Sequence, residues 1–189
     1  LKLPFVKRVS FCMGTPNNGG NNNTTYFNVG DTVKEMSFQT LVVDSAFVEM
    51  FHIRITEDRR LPDRKGVFVS ESAMRELQSI GQGGDYYADR YGSQVRIAGQ
   101  FKDFKIRSVL DEQHPLQMQI RPYDRIHPWT ILVEVEEAEP EQYRRQLDAL
   151  YSDILNGLPF ESTWYHQDMQ KQYDDIMRLN NTLLVFTCT

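Results

Sequence analysis

Apolar and polar residues alternate over short stretches through the first two thirds of the chain and take up helical spacing in the last third. Val6, Val9 and Phe11 mark a first strand, imperfectly alternating. Gly14 to Thr25, with Pro16 and five asparagines, then predicts a mobile loop. Two β-rich stretches, Tyr26 to Val29 and Phe38 to Val43, flank Gly30-Asp31, the signature of a hairpin or meander. Asp44 or Ser45 is placed to cap a short helix over Ala46 to Phe51.

A strand is expected at His52 to Ile55, followed by a charged, exposed loop from Glu57 to Gly66 that contains Pro62. Val67 to Val69 reads as a strand. Ser70 or Ser72 then caps a helix with Met74, Leu77 and Ile80 on one face, and Gly81, Gly83 and Gly84 end it. Tyr86, Tyr87 and Tyr91 read as aromatic packing in a loop. Further strands are expected at Gln94 to Gln100, Phe104 to Val109, Gln117 to Arg121 and Thr130 to Glu136.

Two helices close the sequence. Pro140 suits the first turn of one, with Tyr143, Leu147, Leu150, Tyr151, Ile154 and Leu158 forming an apolar stripe and Gly157 near its end. The other runs from about His166, with Met169, Tyr173, Ile176, Met177 and Leu184 on one side. Trp164 and Tyr165 just before it read as an anchor or a partner-binding patch. If core-buried, Trp164 or Tyr173 should cost about 3–5 kcal/mol on truncation to Ala. The non-Met start and the apolar run Leu183 to Phe186 suggest a piece cut from a longer chain.

Length and composition bring in function only by exclusion. The 189 residues suit one domain or two small subdomains, and 40% hydrophobic residues with 11 glycines suit a globular core. The balance of 21 basic against 26 acidic residues gives −5 with no basic stripe, which argues against nucleic acid as a partner. Cys12 and Cys188 cannot build a disulfide framework. His52, His114, His127 and His166 show no metal-ligand spacing, and no nucleophile elbow or phosphate-binding loop is present. The reading is therefore no catalytic, cofactor or metal residues. No long heptad seam is present either, so the isolated chain is expected to be a monomer in dilute solution.

Several segments, in order, resemble the extracytoplasmic core domain of MacB/FtsX-like ABC-transporter permeases. They are Leu3-Pro4-x-Val6, Val43-Asp44-x-x-Phe47-x-x-x-Phe51, Glu57-Asp58-Arg59, Val69-Ser70-Glu71, Ile97-x-Gly99, Lys102-Asp103-Phe104-x-x-x-Ser108 with Pro115 following, Pro159-Phe160-Glu161, and Asp168 and Tyr173. Asp58 stands where the family commonly has glycine, Ser70 where it has asparagine, and His166 where it has an acidic residue.

The resemblance implies an α+β fold: a compound extracytoplasmic domain, residues 1–182, ending in a membrane-directed helix. A porter-like subdomain would be built from the terminal segments, about 1–44 and 104–182, with a second subdomain inserted at about 45–103. Residues 183–189 would begin a transmembrane helix. It implies a periplasmic or extracellular location on the inner (cell) membrane and no catalysis here, ATP hydrolysis belonging to a separate cytoplasmic domain or subunit. Implied partners are that ATPase, a second permease copy, and a periplasmic adaptor or substrate protein. Trp164, Tyr165, Asp168, Tyr173 and Arg178 are the candidate coupling or interface residues. The alternative reading is an extracytoplasmic ligand-binding or sensor module.

Overall fold

A computed structural model describes residues 3–17, 19–59, 61, 65–105, 114–157, 162–171 and 174. They form two compact units. One is made of the described residues of Arg8–Glu134, the other of those in Leu1–Lys7 and Val135–Thr189.

The first unit is built on a mixed sheet. Its strands, some running past the unit's ends, are β1 (Val6–Met13), β2 (Asn21–Val29), β3 (Thr32–Val43), β4 (Ile55–Asp58), β5 (Val67–Ser70), β6 (Tyr86–Ala88), β7 (Gln94–Phe101), β8 (Leu116–Ile120) and β9 (Thr130–Val135). The order is β4-β7-β5-β8-β3-β1-β9, with β2 added to β3 and β6 to β7. The pairs β3–β8 and β5–β7 are parallel, whereas β1–β3, β2–β3, β4–β7, β5–β8 and β6–β7 are antiparallel. Helices α1 (Ser45–Met50) and α2 (Glu71–Ser79) follow β3 and β5 directly. This is the expected α+β class.

The period-2 alternation of β3 explains why the sheet is buried on both faces. Met36 and Phe38 join Phe27, Val69, Tyr87, Ile97 and the α2 residues Ala73, Met74 and Leu77 in one core. Leu41 and Val43, of opposite parity, join Cys12, Phe101, Leu116, Met118 and Phe47 of α1 in the other. The cap signals act as expected. The Asp44 carboxylate accepts from the Phe47 N–H, and the Ser70 hydroxyl accepts from the Ala73 N–H. Ser70 thus does the capping work that an asparagine would do.

Three expectations are corrected. Much of the Asn-rich stretch is strand, because β2 pairs with β3 from Asn21↔Thr40 to Val29↔Thr32. Its polar side chains find cross-strand partners, Asn23 donating to the Thr40 hydroxyl at 3.0 Å and Thr24 meeting Ser37 at 2.9 Å. The strand expected at His52 to Ile55 instead begins at Ile55: His52 sits at φ 50°, and Glu57 and Asp58, assigned to a loop, pair with β7. Charge on a short edge strand discourages pairing with other chains. Tyr87 lies in a strand rather than a loop, stacked on Phe38 at 5.3 Å.

Phe104 and Lys105 lie outside any strand, and the rest of the strand expected at Phe104 to Val109 lies outside the described residues. In the second unit α3 (Pro140–Ile154) forms with Pro140 in its first turn and Gly157 beyond its end at φ 79°. Tyr143 stacks on Phe5 with ring centroids 4.3 Å apart. The apolar stripe is less buried than its periodicity suggests: no α3 residue is fully buried, and Ile154 is 64% exposed. Leu158 lies outside the described residues.

Candidate functional site

The candidate coupling residues sit in the second unit, where the chain turns from α3 into a last helical stretch at 165–171. Trp164 stands just before that stretch, and its carbonyl accepts from the Asp168 N–H at 3.0 Å, closing the first turn. The Thr163 hydroxyl donates to the Asp168 carboxylate at 2.7 Å, so Thr163 and Asp168 brace the helix start from both sides.

This start is tied to α3. The Trp164 indole N–H donates to Glu141 Oε1 at 2.8 Å, and the Ser162 hydroxyl donates to Asp148 Oδ1 at 2.7 Å. Arg144 reaches the Ser162 carbonyl at 3.5 Å and pairs with Glu141 at 3.3 Å. Glu141, Arg144 and Asp148 are spaced i, i+3, i+7 and so share one helix face. The indole hydrogen bond, with Arg144 beside it, holds the Glu141 carboxyl below the usual glutamate range. Burial pushes the Tyr165 hydroxyl up.

Trp164, Tyr165 and Asp168 are thus brought to one corner, while Tyr173 and Arg178 lie outside the described residues. Trp164 and Tyr165 are half-buried, and Trp164 is anchored by a hydrogen bond to a helix face rather than by core packing. Reasoning from sequence missed Glu141, Arg144, Asp148 and Ser162. The i, i+3, i+7 row of charges on α3 was the available signal.

In the first unit the segments that carry the family resemblance meet as clamps. Asp44 accepts from the Ser10 hydroxyl at 2.7 Å, the Phe11 N–H at 3.0 Å and the Phe47 N–H at 3.0 Å, joining β1 to α1. Asp103 accepts from both the N–H and the hydroxyl of Ser72, at 3.1 and 2.6 Å, with Arg75 at 3.6 Å. Glu57 accepts from Arg59 at 2.8 Å and from Gln100 at 2.6 Å, and those two bonds hold its carboxyl below the usual range. Gly99 lies so close to the Glu57 carbonyl oxygen that a Cβ there would overlap it.

None of these clamps leaves a group poised for reaction. The Cys12 thiol is buried against the Thr130 carbonyl, and burial, aided by the Asp44 charge, pushes it up to about 12. The four histidines are exposed. Among the described residues no cluster of three or more His, Cys, Asp or Glu is arranged to hold a metal ion, and no helix is long and apolar enough to cross a membrane.

No family model and no curated protein matches the sequence. Solved structures do. A domain of a protein designated a permease from Porphyromonas gingivalis superposes with a TM-score of 0.51 at 18% identity, over 80% of this chain and 72% of that one. The periplasmic region of MacB from Actinobacillus actinomycetemcomitans gives 0.48 at 13%, over 81% and 69%. The extracellular domain of the noncanonic ABC-type transporter YknZ from Gram-positive bacteria gives 0.46 at 11%, over 79% and 78%. The chain shares the fold of the Porphyromonas permease domain, which is the kind of fold that the resemblance in sequence implied.

Proposed function

We propose that the chain is the non-catalytic extracytoplasmic domain of a MacB/FtsX-like ABC-transporter permease, and that it couples ATP-driven motion across the membrane to export or release of a substrate. On this reading residues 1–44 and 104–182 form the porter-like part, 45–103 the inserted part, and 183–189 the start of a membrane span. The domain lies on the periplasmic or extracellular side of the cell membrane. Its partners are a cytoplasmic ATPase, a second permease copy and a periplasmic adaptor or substrate protein.

The observation that carries the proposal is the bracing of the last helical stretch by α3 through Trp164–Glu141 and Ser162–Asp148. Transmission of motion needs the final helix to move with the body as one piece, because packed elements shift as units. A helix start hydrogen-bonded at two points to a fifteen-residue helix meets that need. The ordered motifs and the fold likeness support the same reading.

The test is a Gly-Gly insertion after Arg178 in the intact transporter. The expected outcome is normal expression and ATP binding with transport lost, since two glycines interrupt the rigid link. Full transport by this variant would favour the ligand-binding or sensor module.

A further inference from the structure

An asparagine followed by glycine is open to attack by its own chain, because glycine has no Cβ to keep the next main-chain nitrogen away from the side-chain amide. The chain holds two such pairs, Asn18-Gly19 and Asn156-Gly157. Asn18 lies outside the described residues, but its neighbour Gly19 is buried in a closed ring: its N–H donates to the Thr15 carbonyl at 2.8 Å and its carbonyl accepts from the Thr15 N–H at 3.1 Å. Main chain also crowds it, since a Cβ on Gly14 would overlap the Gly19 carbonyl oxygen. The nitrogen that would have to attack Asn18 is therefore held and shielded from water.

The second pair sits at the end of α3. Beyond the C-cap Leu155, Asn156 takes φ 52° and Gly157 φ 79°. The Asn156 N–H donates to the Asp153 carbonyl at 3.3 Å and the Gly157 N–H to the Ser152 carbonyl at 2.9 Å, the two bonds of a Schellman cap. Such caps ordinarily place glycine where Asn156 stands, since a side chain is strained at that φ. Asn156, Gly157 and Ser152 are all exposed, and nothing lies within 4 Å of where a Gly157 Cβ would be. Helix ends open locally at little cost, so the Gly157 nitrogen is released from Ser152 far more often than Gly19 is released from Thr15.

We propose that Asn156 is a site of spontaneous deamidation. The Gly157 main-chain nitrogen gives up its proton to water and bonds to Asn156 Cγ; the bond from Cγ to the side-chain nitrogen breaks, and ammonia leaves. Water then opens the resulting succinimide at one carbonyl or the other, to give aspartate or isoaspartate. No oxidant or cofactor is consumed. Either product puts a carboxylate beside the last carbonyls of α3, in the same turn as Asp153, which is the unfavourable end of the helix dipole for a negative charge. Isoaspartate also adds a methylene to the main chain, which moves the Gly157 N–H off the Ser152 carbonyl and releases the cap. The inference stands on this cap and does not depend on the transporter reading.

The full chain, incubated folded at mildly alkaline pH, tests it by peptide mass spectrometry and by isoaspartyl methyltransferase labelling. Asn156 should gain the mass of amide-to-acid conversion several-fold faster than Asn18, whereas in urea the two pairs should convert at like rates. Equal rates in the folded chain, or no conversion at Asn156, overturn the proposal. Asn156→Gly, which supplies the residue the cap favours, should abolish isoaspartate at this site and leave the helical circular dichroism unchanged. Hydrogen exchange in the last turn of α3 should be faster in the aged parent chain than in the fresh one, and should not change on ageing of Asn156→Gly. Equal exchange in the fresh and the fully converted parent chain would overturn the release of the cap.

Discussion

Asp103 holds Ser72 by two hydrogen bonds to one carboxylate oxygen, from the backbone N–H at 3.1 Å and the hydroxyl at 2.6 Å. The contact closes a loop of thirty-one residues and fixes the exit of β7 to the first turn of α2. Burial works against the charged form of Asp103, but the bonds from Ser72 and Ser70 and the Arg75 charge outweigh it and hold the carboxyl below the usual aspartate range. At mildly acid pH the unfolded chain therefore binds more protons at this residue than the folded one, and stability rises with pH. The contribution is complete above the unfolded value of about 3.9 and is lost as pH falls through the lower folded value. Asp103→Asn should cost about 1.5–3 kcal/mol at pH 7 and flatten the dependence below about pH 5. Urea unfolding at pH 7 and pH 3 measures both effects; equal losses at the two pH values would show that the charge is irrelevant.

Asp44 joins β1 to α1 through three donors, two of them main-chain N–H groups. Asp44→Ala leaves the buried Ser10 hydroxyl without this partner and removes the α1 cap, at a cost of about 2–4 kcal/mol. Asp44→Asn keeps a carbonyl acceptor and should lose roughly half as much. Chemical denaturation of the two variants checks that ranking.

The Cys12 thiol, pushed up to about 12, is protonated at neutral pH and closed to solvent. In a Cys188→Ser background it should react with Ellman's reagent only through unfolded molecules, at a rate that rises with urea in step with the unfolded fraction. Prompt labelling at pH 8 in the absence of denaturant would contradict the burial.

Legibility followed the range of the interactions. Asp44, Ser70 and the Gly30-Asp31 hairpin were readable because caps and tight turns are decided within four residues. The nature of 21–25 was not, because an asparagine-rich stretch becomes strand only through β3, whose pairing gives Asn23 and Thr24 their partners. His52 and Glu57 show the same limit: where β4 begins depends on its register with β7, forty residues away. At the candidate site Trp164 was visible as a large aromatic before a helix. Its partner Glu141 lies 23 residues earlier, outside the apolar stripe by which that helix was recognised.

Gly99 is a close-approach glycine in the middle of β7, facing the Glu57 carbonyl and the Phe68 ring. Gly99→Ala should cost about 1–3 kcal/mol through overpacking against backbone that cannot move aside cheaply. Thermal melting gives the loss, and hydrogen exchange should place the weakened protection in β4 and β5, which pair with β7 at Gly99 through Asp58 and Phe68. A variant as stable as the parent would mean that β4 is free to shift.

Trp164 was expected to lose about 3–5 kcal/mol on truncation if core-buried, and its half-buried position lowers that to about 1–2 kcal/mol for Trp164→Ala. The hydrogen bond to Glu141 gives a more specific signature. The bond holds the Glu141 carboxyl below its usual range, so it is intact above that range and breaks as pH falls through the lowered value. The chain has two tryptophans, and Trp129→Phe leaves Trp164 as the single indole. In that background the emission of Trp164 should stay constant from pH 7 down to about pH 5 and shift only in stronger acid, as the acceptor loses its charge. Glu141→Gln should remove that acid transition while leaving the far-ultraviolet circular dichroism unchanged, because α3 does not depend on the bond for its own hydrogen-bonding ladder. Emission that titrates identically in the Glu141→Gln variant would show that Trp164 answers to another carboxylate, and the bracing of the last helical stretch by α3 would then rest on Ser162 and Asp148 alone.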